Sequence, residues 1–173
     1  MPRVKKDSEE KKRNSSIKIL IVLIFIIAIV DLAFILTARI QQKTPETTDS
    51  YVSEVIDGDT FKLSTGETVR LIGINAPEPN SNFYSESLNF LKFAILNKQV
   101  YLEKDEDETD DSGKLWRYAF VDFNGKRISL NVESVKDGYS LPMPISPNLK
   151  YQAEIDSARQ ECLASKLNLC ANS

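Results

Sequence analysis

Residues 51–74 read YVSEVIDGDTFKLSTGETVRLIGI. Tyr51–Val55 and Thr60–Ser64 are short runs rich in β-branched and aromatic residues, and the Ile56-Asp57-Gly58-Asp59 between them is turn-forming in type. Thr65-Gly66 then joins the second run to Glu67–Ile74, whose early part alternates apolar and polar residues. The stretch predicts a meander of three strands, with acidic side chains gathered at the first turn.

Working outward, Leu88, Leu91 and Ile95 recur at helical spacing within Ser85–Asn97, and Phe90, Phe93, Ala94 and Leu96 broaden that face into a core helix. Val100–Glu103 reads as a strand. Arg117–Phe123 and Lys126–Ser129 flank Asn124-Gly125, a two-residue hairpin signal. Leu130–Asp137 predicts a short helix stopped by Gly138, and Asn148–Lys166 a final amphipathic helix reached through Ser146-Pro147-Asn148. Five short strands closing around one helix, with two more helices appended, predict an α+β fold. Its main part is a small β-barrel of the oligonucleotide/oligosaccharide-binding (OB) type.

Ile19–Leu36 is apolar apart from Asp31. At about 1.5 Å per residue it covers roughly 27 Å, near the hydrocarbon thickness of a bilayer. It is longer than the apolar region of a cleaved signal peptide and is followed by Thr37-Ala38-Arg39-Ile40 rather than a small-x-small site. Arg3, Lys5, Lys6, Lys11, Lys12, Arg13 and Lys18 precede it, whereas Arg39 and Lys43 closely follow. The expected organisation is a basic cytoplasmic tail (1–16), a transmembrane signal-anchor helix (17–40), a polar linker (41–50) and one domain (51–173) placed outside a cell membrane, extracellular or periplasmic.

The whole chain carries a formal net charge of −3, but residues 44–173 alone hold 13 Lys/Arg against 21 Asp/Glu, a net −8. There is no histidine. Imidazole bases, His-ligated zinc and nucleophilic relays through His are therefore excluded, leaving carboxylates, Arg/Lys, hydroxyls or a hard metal to do any chemistry. Cys162 and Cys170 are the two cysteines. A disulfide between them requires the last helix to end near Lys166 and the chain to fold back; otherwise Cys162 simply continues the apolar stripe Tyr151, Ile155, Ala158. Seven of the nine residues Glu103–Asp111 are acidic. Such a run reads as a solvated loop in preference to a calcium loop, because it lacks the glycine and fixed spacing of calcium loops.

The densest constellation of reactive types is Val55-Ile56-Asp57-Gly58-Asp59-Thr60 followed by Val69-Arg70-Leu71-Ile72-Gly73-Ile74-Asn75-Ala76-Pro77-Glu78. A carboxylate that can hold a hard cation, a guanidinium and a second carboxylate at strand ends are what phosphodiester hydrolysis needs. On composition alone, a turn and a structural ion pair explain the same residues. This pattern, with Gly113-Lys114-Leu115-Trp116-Arg117-Tyr118, Pro147-Asn148 and Lys166-Leu167-Asn168-Leu169, resembles the staphylococcal nuclease (thermonuclease) family over Val55 to about Leu169.

The resemblance implies a five-stranded OB-fold barrel with three helices, and calcium-dependent cleavage of DNA and RNA leaving 3′-phosphate ends. It places Asp59 on a Ca2+ ligand, Asn75 on the second acidic ligand and Ala76 on a backbone-carbonyl ligand. Arg70 falls on the first phosphate-binding arginine, Glu78 on the general base and Lys114 on the second phosphate-binding arginine. Asn75 and Lys114 depart from the family pattern. The amide removes a negative charge beside the metal, and the ammonium lacks the planar fork that grips two phosphate oxygens. Since an oxyanion-type donor is worth about 3–4 kcal/mol, activity reduced by about 10- to 100-fold is expected. Arg117, three residues along a strand from Lys114, points to the other face. The expected function is a membrane-anchored nuclease, monomeric, with DNA or RNA as substrate; the alternative is an impaired barrel that binds nucleic acid or protein.

Overall fold

A computed structural model of the chain describes residues 48–171. Strand β1 (Thr48–Val55) serves two partners. Its first half pairs with β5 (Gln99–Glu103), from Thr48↔Leu102 to Tyr51↔Gln99, and its second half with β2 (Thr60–Leu63), from Val52↔Leu63 to Val55↔Phe61. An irregularity between Val52 and Glu54 lets the strand turn from one partner to the other. β2 pairs with β3 (Thr68–Leu71), β5 with β6 (Leu115–Phe123), and β3 runs parallel to β6 with Arg70 opposite Trp116. That last pairing closes a five-stranded barrel. β7 (Lys126–Ser129) is added to β6 through Asn124-Gly125, whose φ values of 50° and 74° are those a two-residue turn between twisted strands requires.

The third predicted strand is broken. After Leu71 the chain turns at Gly73, with φ at 78°, and Ile74–Asn75 (β4) leaves the barrel to pair with Leu141–Pro142 (β8). Two bonds fix this departure: Asn131 Nδ2 donates to the Ile72 carbonyl at 2.8 Å, and Met143 N to the Gly73 carbonyl at 2.8 Å. Helix α1 (Tyr84–Ile95) buries Ser87, Leu91 and Ile95; α2 (Leu130–Lys136) is capped by Ser129; α3 (Gln152–Ser165) buries Ile155, Ala158 and Cys162. These join Val52, Phe61, Val69, Leu71 and Val100 in one core. Full burial of an aliphatic or aromatic side chain of this size stabilises by roughly 1.5–3 kcal/mol.

Most of the acidic run is the expected solvated loop, with Glu106, Asp107, Glu108 and Asp111 exposed, but its first residues are not. Glu103 is buried, its carboxylate accepting from Lys150 Nζ and from the Tyr151 hydroxyl at 3.1 Å, while Asp105 accepts from Lys150 N at 3.0 Å. Burial and the nearby Glu103 push the Tyr151 phenol up to about 12. The run thus fastens β5 to the segment before α3.

Cys162 and Cys170 are bridged, with Cα atoms 5.8 Å apart. α3 ends at Lys166 in the left-handed region, and a 3₁₀ turn at Asn168–Cys170 brings the chain back. In the chain-entropy description, closing so short a loop is worth about 2–3 kcal/mol. Reduction, or replacement of both cysteines by alanine, is expected to lower the unfolding midpoint by roughly 10 °C, read by circular dichroism with and without dithiothreitol.

The expected location in a cell membrane is corrected. Among the described residues no helix is long and apolar enough to cross a membrane. The longest, α3, has 14 residues, about 21 Å against the roughly 30 Å of a hydrocarbon core, and carries charged residues along its length. The predicted span Ile19–Leu36 lies outside the described residues.

Candidate active site

The turn between β1 and β2 is built around Asp59. Ile56 N and Asp57 N both donate to the Thr60 carbonyl, at 2.9 and 3.1 Å, and Asp59 N donates to Asp57 Oδ1 at 3.1 Å. These bonds turn the Asp59 carboxylate inward, where only 2% of the residue is exposed. A Cβ on Gly58 would lie 1.9 Å from Ser87 Oγ and 2.8 Å from the Ala76 Cβ, so only glycine lets the turn seat against α1.

Asp59 Oδ2 accepts from Ala76 N at 2.9 Å; Oδ1 accepts from Thr60 Oγ1 at 2.8 Å and from Arg70 Nη1 at 2.9 Å. Arg70 Nη2 donates to Asn75 Oδ1 at 2.9 Å. One guanidinium therefore spans Asp59 and Asn75, bringing two oxygens from opposite ends of the β2–β4 segment into a single cluster. Burial is the largest influence on the Asp59 carboxyl and, with Asp57 beside it, outweighs the Ala76 N–H and Arg70, so its pKa is pushed up to about 6. A buried carboxylate so incompletely balanced suits a further cation, and the oxygens of Asp59 and Asn75 with the Ala76 carbonyl are hard donors of the right kind. The count of protein oxygens is small and includes one full charge. Among the described residues no three His, Cys, Asp or Glu side chains gather as a metal cluster.

Two expected site residues stand apart. Glu78 is exposed on the loop after β4, and the described bonds there are to its carbonyl, which accepts from Ser81 N at 3.0 Å and Ser81 Oγ at 2.6 Å. Lys114 precedes β6 and lies 3.8 Å from Asp110 Oδ2. Asp110 Oδ1 also accepts from Ser112 N, Ser112 Oγ and Lys114 N, so the loop holds Lys114 by itself and not through the Asp59 cluster. The β3–β6 register nonetheless puts Lys114 two residues before Trp116, the partner of Arg70, about 7 Å along the strand. The reading from sequence missed Thr60, whose hydroxyl holds Asp59, and Ser87, whose buried Oγ has no hydrogen-bond partner beneath Gly58. A small residue on the inward face of α1, opposite a glycine turn, was the available signal for Ser87.

A family model described as "Staphylococcal nuclease homologue" matches residues 68–172. The chain belongs to the staphylococcal nuclease family. The match begins at β3, so Arg70, Asn75, Ala76, Glu78 and Lys114 fall inside it, whereas Asp59 precedes it. A thermonuclease of Staphylococcus hyicus is 32% identical over 130 residues, covering 70% of this chain and 75% of that protein. A thermonuclease of Staphylococcus intermedius is 34% identical over 131 residues, covering 70% of this chain and 76% of that protein. In this staphylococcal nuclease homologue the family match runs from β3 through α3 and takes in Arg70 and Asn75 of the cluster.

Proposed function

We propose that the chain is a calcium-dependent nuclease that hydrolyses phosphodiester bonds of DNA and RNA, at a rate reduced by Asn75 and Lys114. The observation that carries this reading is the Arg70 fork spanning Asp59 and Asn75, with the exposed Glu78 carboxylate three residues beyond Asn75. Asp59, Asn75 and the Ala76 carbonyl would hold the calcium ion, whose charge offsets that of the phosphate when bound. Arg70 binds a non-bridging phosphate oxygen through its Nε and its remaining Nη hydrogens, since its two described bonds leave those donors uncommitted. Glu78 removes a proton from water, the resulting hydroxide bonds to phosphorus, and the phosphorus–O5′ bond breaks with O5′ taking up a proton from solvent, leaving a 3′-phosphate and a 5′-hydroxyl. Lys114 adds a second positive charge near the phosphate.

The test is incubation of the full-length chain with single-stranded DNA and RNA, in calcium or chelator, with analysis of the new ends. Calcium-dependent fragments ending in 3′-phosphate are expected. Equal cleavage in chelator overturns the mechanism. A binding barrel without catalysis is the second reading, favoured by the hold of Asp110 on Lys114. Under the catalytic reading, Asn75→Asp restores a charge to the donor set and tightens calcium binding by roughly tenfold, measured by titration calorimetry.

A further inference from the structure

Arg117 takes no part in the mechanism above. Among the described residues it makes no ion pair within 4 Å, although the Glu108 carboxylate attracts it at longer range; Nη1 donates to the Glu108 carbonyl at 3.1 Å and the Trp116 carbonyl at 2.7 Å. Both Nη1 hydrogens are thereby used and the guanidinium is held in place. The Nε–Nη2 edge, which grips two oxygens of one anion side by side, is left without an acceptor and in reach of solvent. Arg117 lines a cleft of about 470 Å³ together with Tyr51, Ser64, Thr65 and Glu67. Tyr51 is 51% exposed, and its hydroxyl donates to the Asn97 carbonyl at 2.6 Å, so its ring is presented in a fixed orientation. Ser64 adds a hydroxyl donor, while the Thr65 hydroxyl is spent on Glu67. The acid of the cleft, Glu67, is engaged by the Thr65 side chain and by its own backbone N–H, which hold its carboxyl below the usual range.

A fixed guanidinium edge, a hydroxyl and a fixed, half-exposed aromatic ring match the alternation of phosphate and base along a strand. Arg117 follows Trp116, the register partner of Arg70, and so points to the opposite face of β6, and none of Asp59, Arg70, Asn75, Glu78 and Lys114 lines the cleft, which is therefore distinct from the reacting centre. We propose that this cleft is a second binding site for single-stranded nucleic acid, with one phosphate on the Nε–Nη2 edge of Arg117 and a neighbouring base stacked on Tyr51. The proposal rests on the nuclease reading for its ligand class. It explains how a domain of net charge −8 over residues 44–173 holds a polyanion: through one local, preorganised contact and not through its overall field.

The test measures binding of a fluorescein-labelled single-stranded oligothymidylate to the full-length chain in chelator, where calcium-dependent cleavage does not interfere, across a salt series. Arg117→Gln is expected to weaken binding about tenfold and to reduce the salt slope by about 0.7, the value for one lost phosphate contact on a single strand. Arg117→Lys is expected to keep the slope and lose part of the affinity. Tyr51→Leu is expected to weaken binding about 5- to 100-fold at every salt concentration without changing the slope. Circular dichroism checks that the variants are folded, and a structural defect alone would not move the slope. Wild-type affinity and slope in both Arg117→Gln and Tyr51→Leu overturn the proposal. So does equal competition by an acidic peptide of the same charge, since the cleft then reads carboxylates. Calcium-dependent cleavage of bis(4-nitrophenyl) phosphate is followed in parallel and is expected to be unchanged in Arg117→Gln. If the wild type cleaves nothing but the slope change persists, the nuclease reading fails and the cleft stands as a binding site.

Discussion

Arg70→Lys is expected to lower the calcium-dependent cleavage rate by about 100-fold, and Arg70→Ala by about 1,000-fold, in single-turnover assays on single-stranded DNA. The lysine variant keeps the charge beside Asp59, but an ammonium cannot reproduce a planar fork that reaches Asp59 Oδ1 and Asn75 Oδ1 at 2.9 Å each while leaving donors for phosphate. The alanine variant also removes the counterion of a buried carboxylate. It therefore loses stability as well, on the order of 1–3 kcal/mol, part of which is relieved when Asp59 takes up a proton. Comparing the two variants separates lost chemistry from lost folding: the lysine variant keeps a near wild-type unfolding midpoint and still loses its rate. An Arg70→Lys rate within threefold of wild type would remove Arg70 from the mechanism.

The second large effect concerns Asp59→Asn, which is expected to abolish calcium-dependent cleavage while raising the stability of the chelator-treated protein at neutral pH. The sign follows from linkage. The Asp59 carboxyl titrates near 6 in the folded chain, because burial is only partly offset by Ala76 N–H and Arg70, against roughly 3.9 when unfolded. The folded state therefore holds this proton more tightly. Its cost in stability is absent below about pH 4, grows between about 4 and 6, and is complete above 6, reaching on the order of 1–3 kcal/mol. Asp59→Asn removes that cost and flattens the pH dependence of the unfolding midpoint in this window. Calcium held by Asp59 would relieve the same cost, so the midpoint at pH 7 is expected to rise with calcium in the wild type and not in Asp59→Asn. A lower midpoint for the variant in chelator at pH 7 contradicts this assignment.

Much of the barrel was legible because local chemistry and tertiary pairing agree. Asn124-Gly125 specifies a tight turn by itself, and both residues take positive φ. Asp57-Gly58-Asp59 is a turn by residue type, and the turn is what aims Asp59 inward. The bridge of Cys162 to Cys170 was one of two readings, and the helix end at Lys166 permits it. What was not legible depends on distant partners. Thr48-Asp49-Ser50 is polar and reads as linker, yet it forms strand with β5, because backbone pairing asks little of the side chains at an end of a sheet. The run Glu67–Ile74 reads as one strand, but pairing with Leu141–Pro142, a dipeptide without strand character of its own, draws Ile74–Asn75 away. That departure brings Asn75 to Arg70. Asn148 reads as the start of the last helix, yet it is buried and its Oδ1 accepts from Asp107 N at 2.8 Å, so α3 begins only at Gln152. The start of the acidic run departs from a solvated loop for the same reason: Glu103 and Asp105 find their partners at Lys150 and Tyr151, more than forty residues on.

Within the site, residue types and spacing marked Asp59, Arg70 and Glu78, the family resemblance added Asn75 and Lys114, and the fold brings Asp59, Arg70 and Asn75 together. The roles of Glu78 and Lys114 rest on chemistry that the substrate and the ion complete. The account therefore turns on Glu78, and its most direct test is the single-turnover rate of cleavage of single-stranded DNA by the wild type and by Glu78→Gln over a range of calcium concentrations. The account predicts that Glu78→Gln binds calcium and DNA as the wild type does and cleaves at least about 100-fold more slowly at every calcium concentration. Equal rates for the two proteins would contradict it.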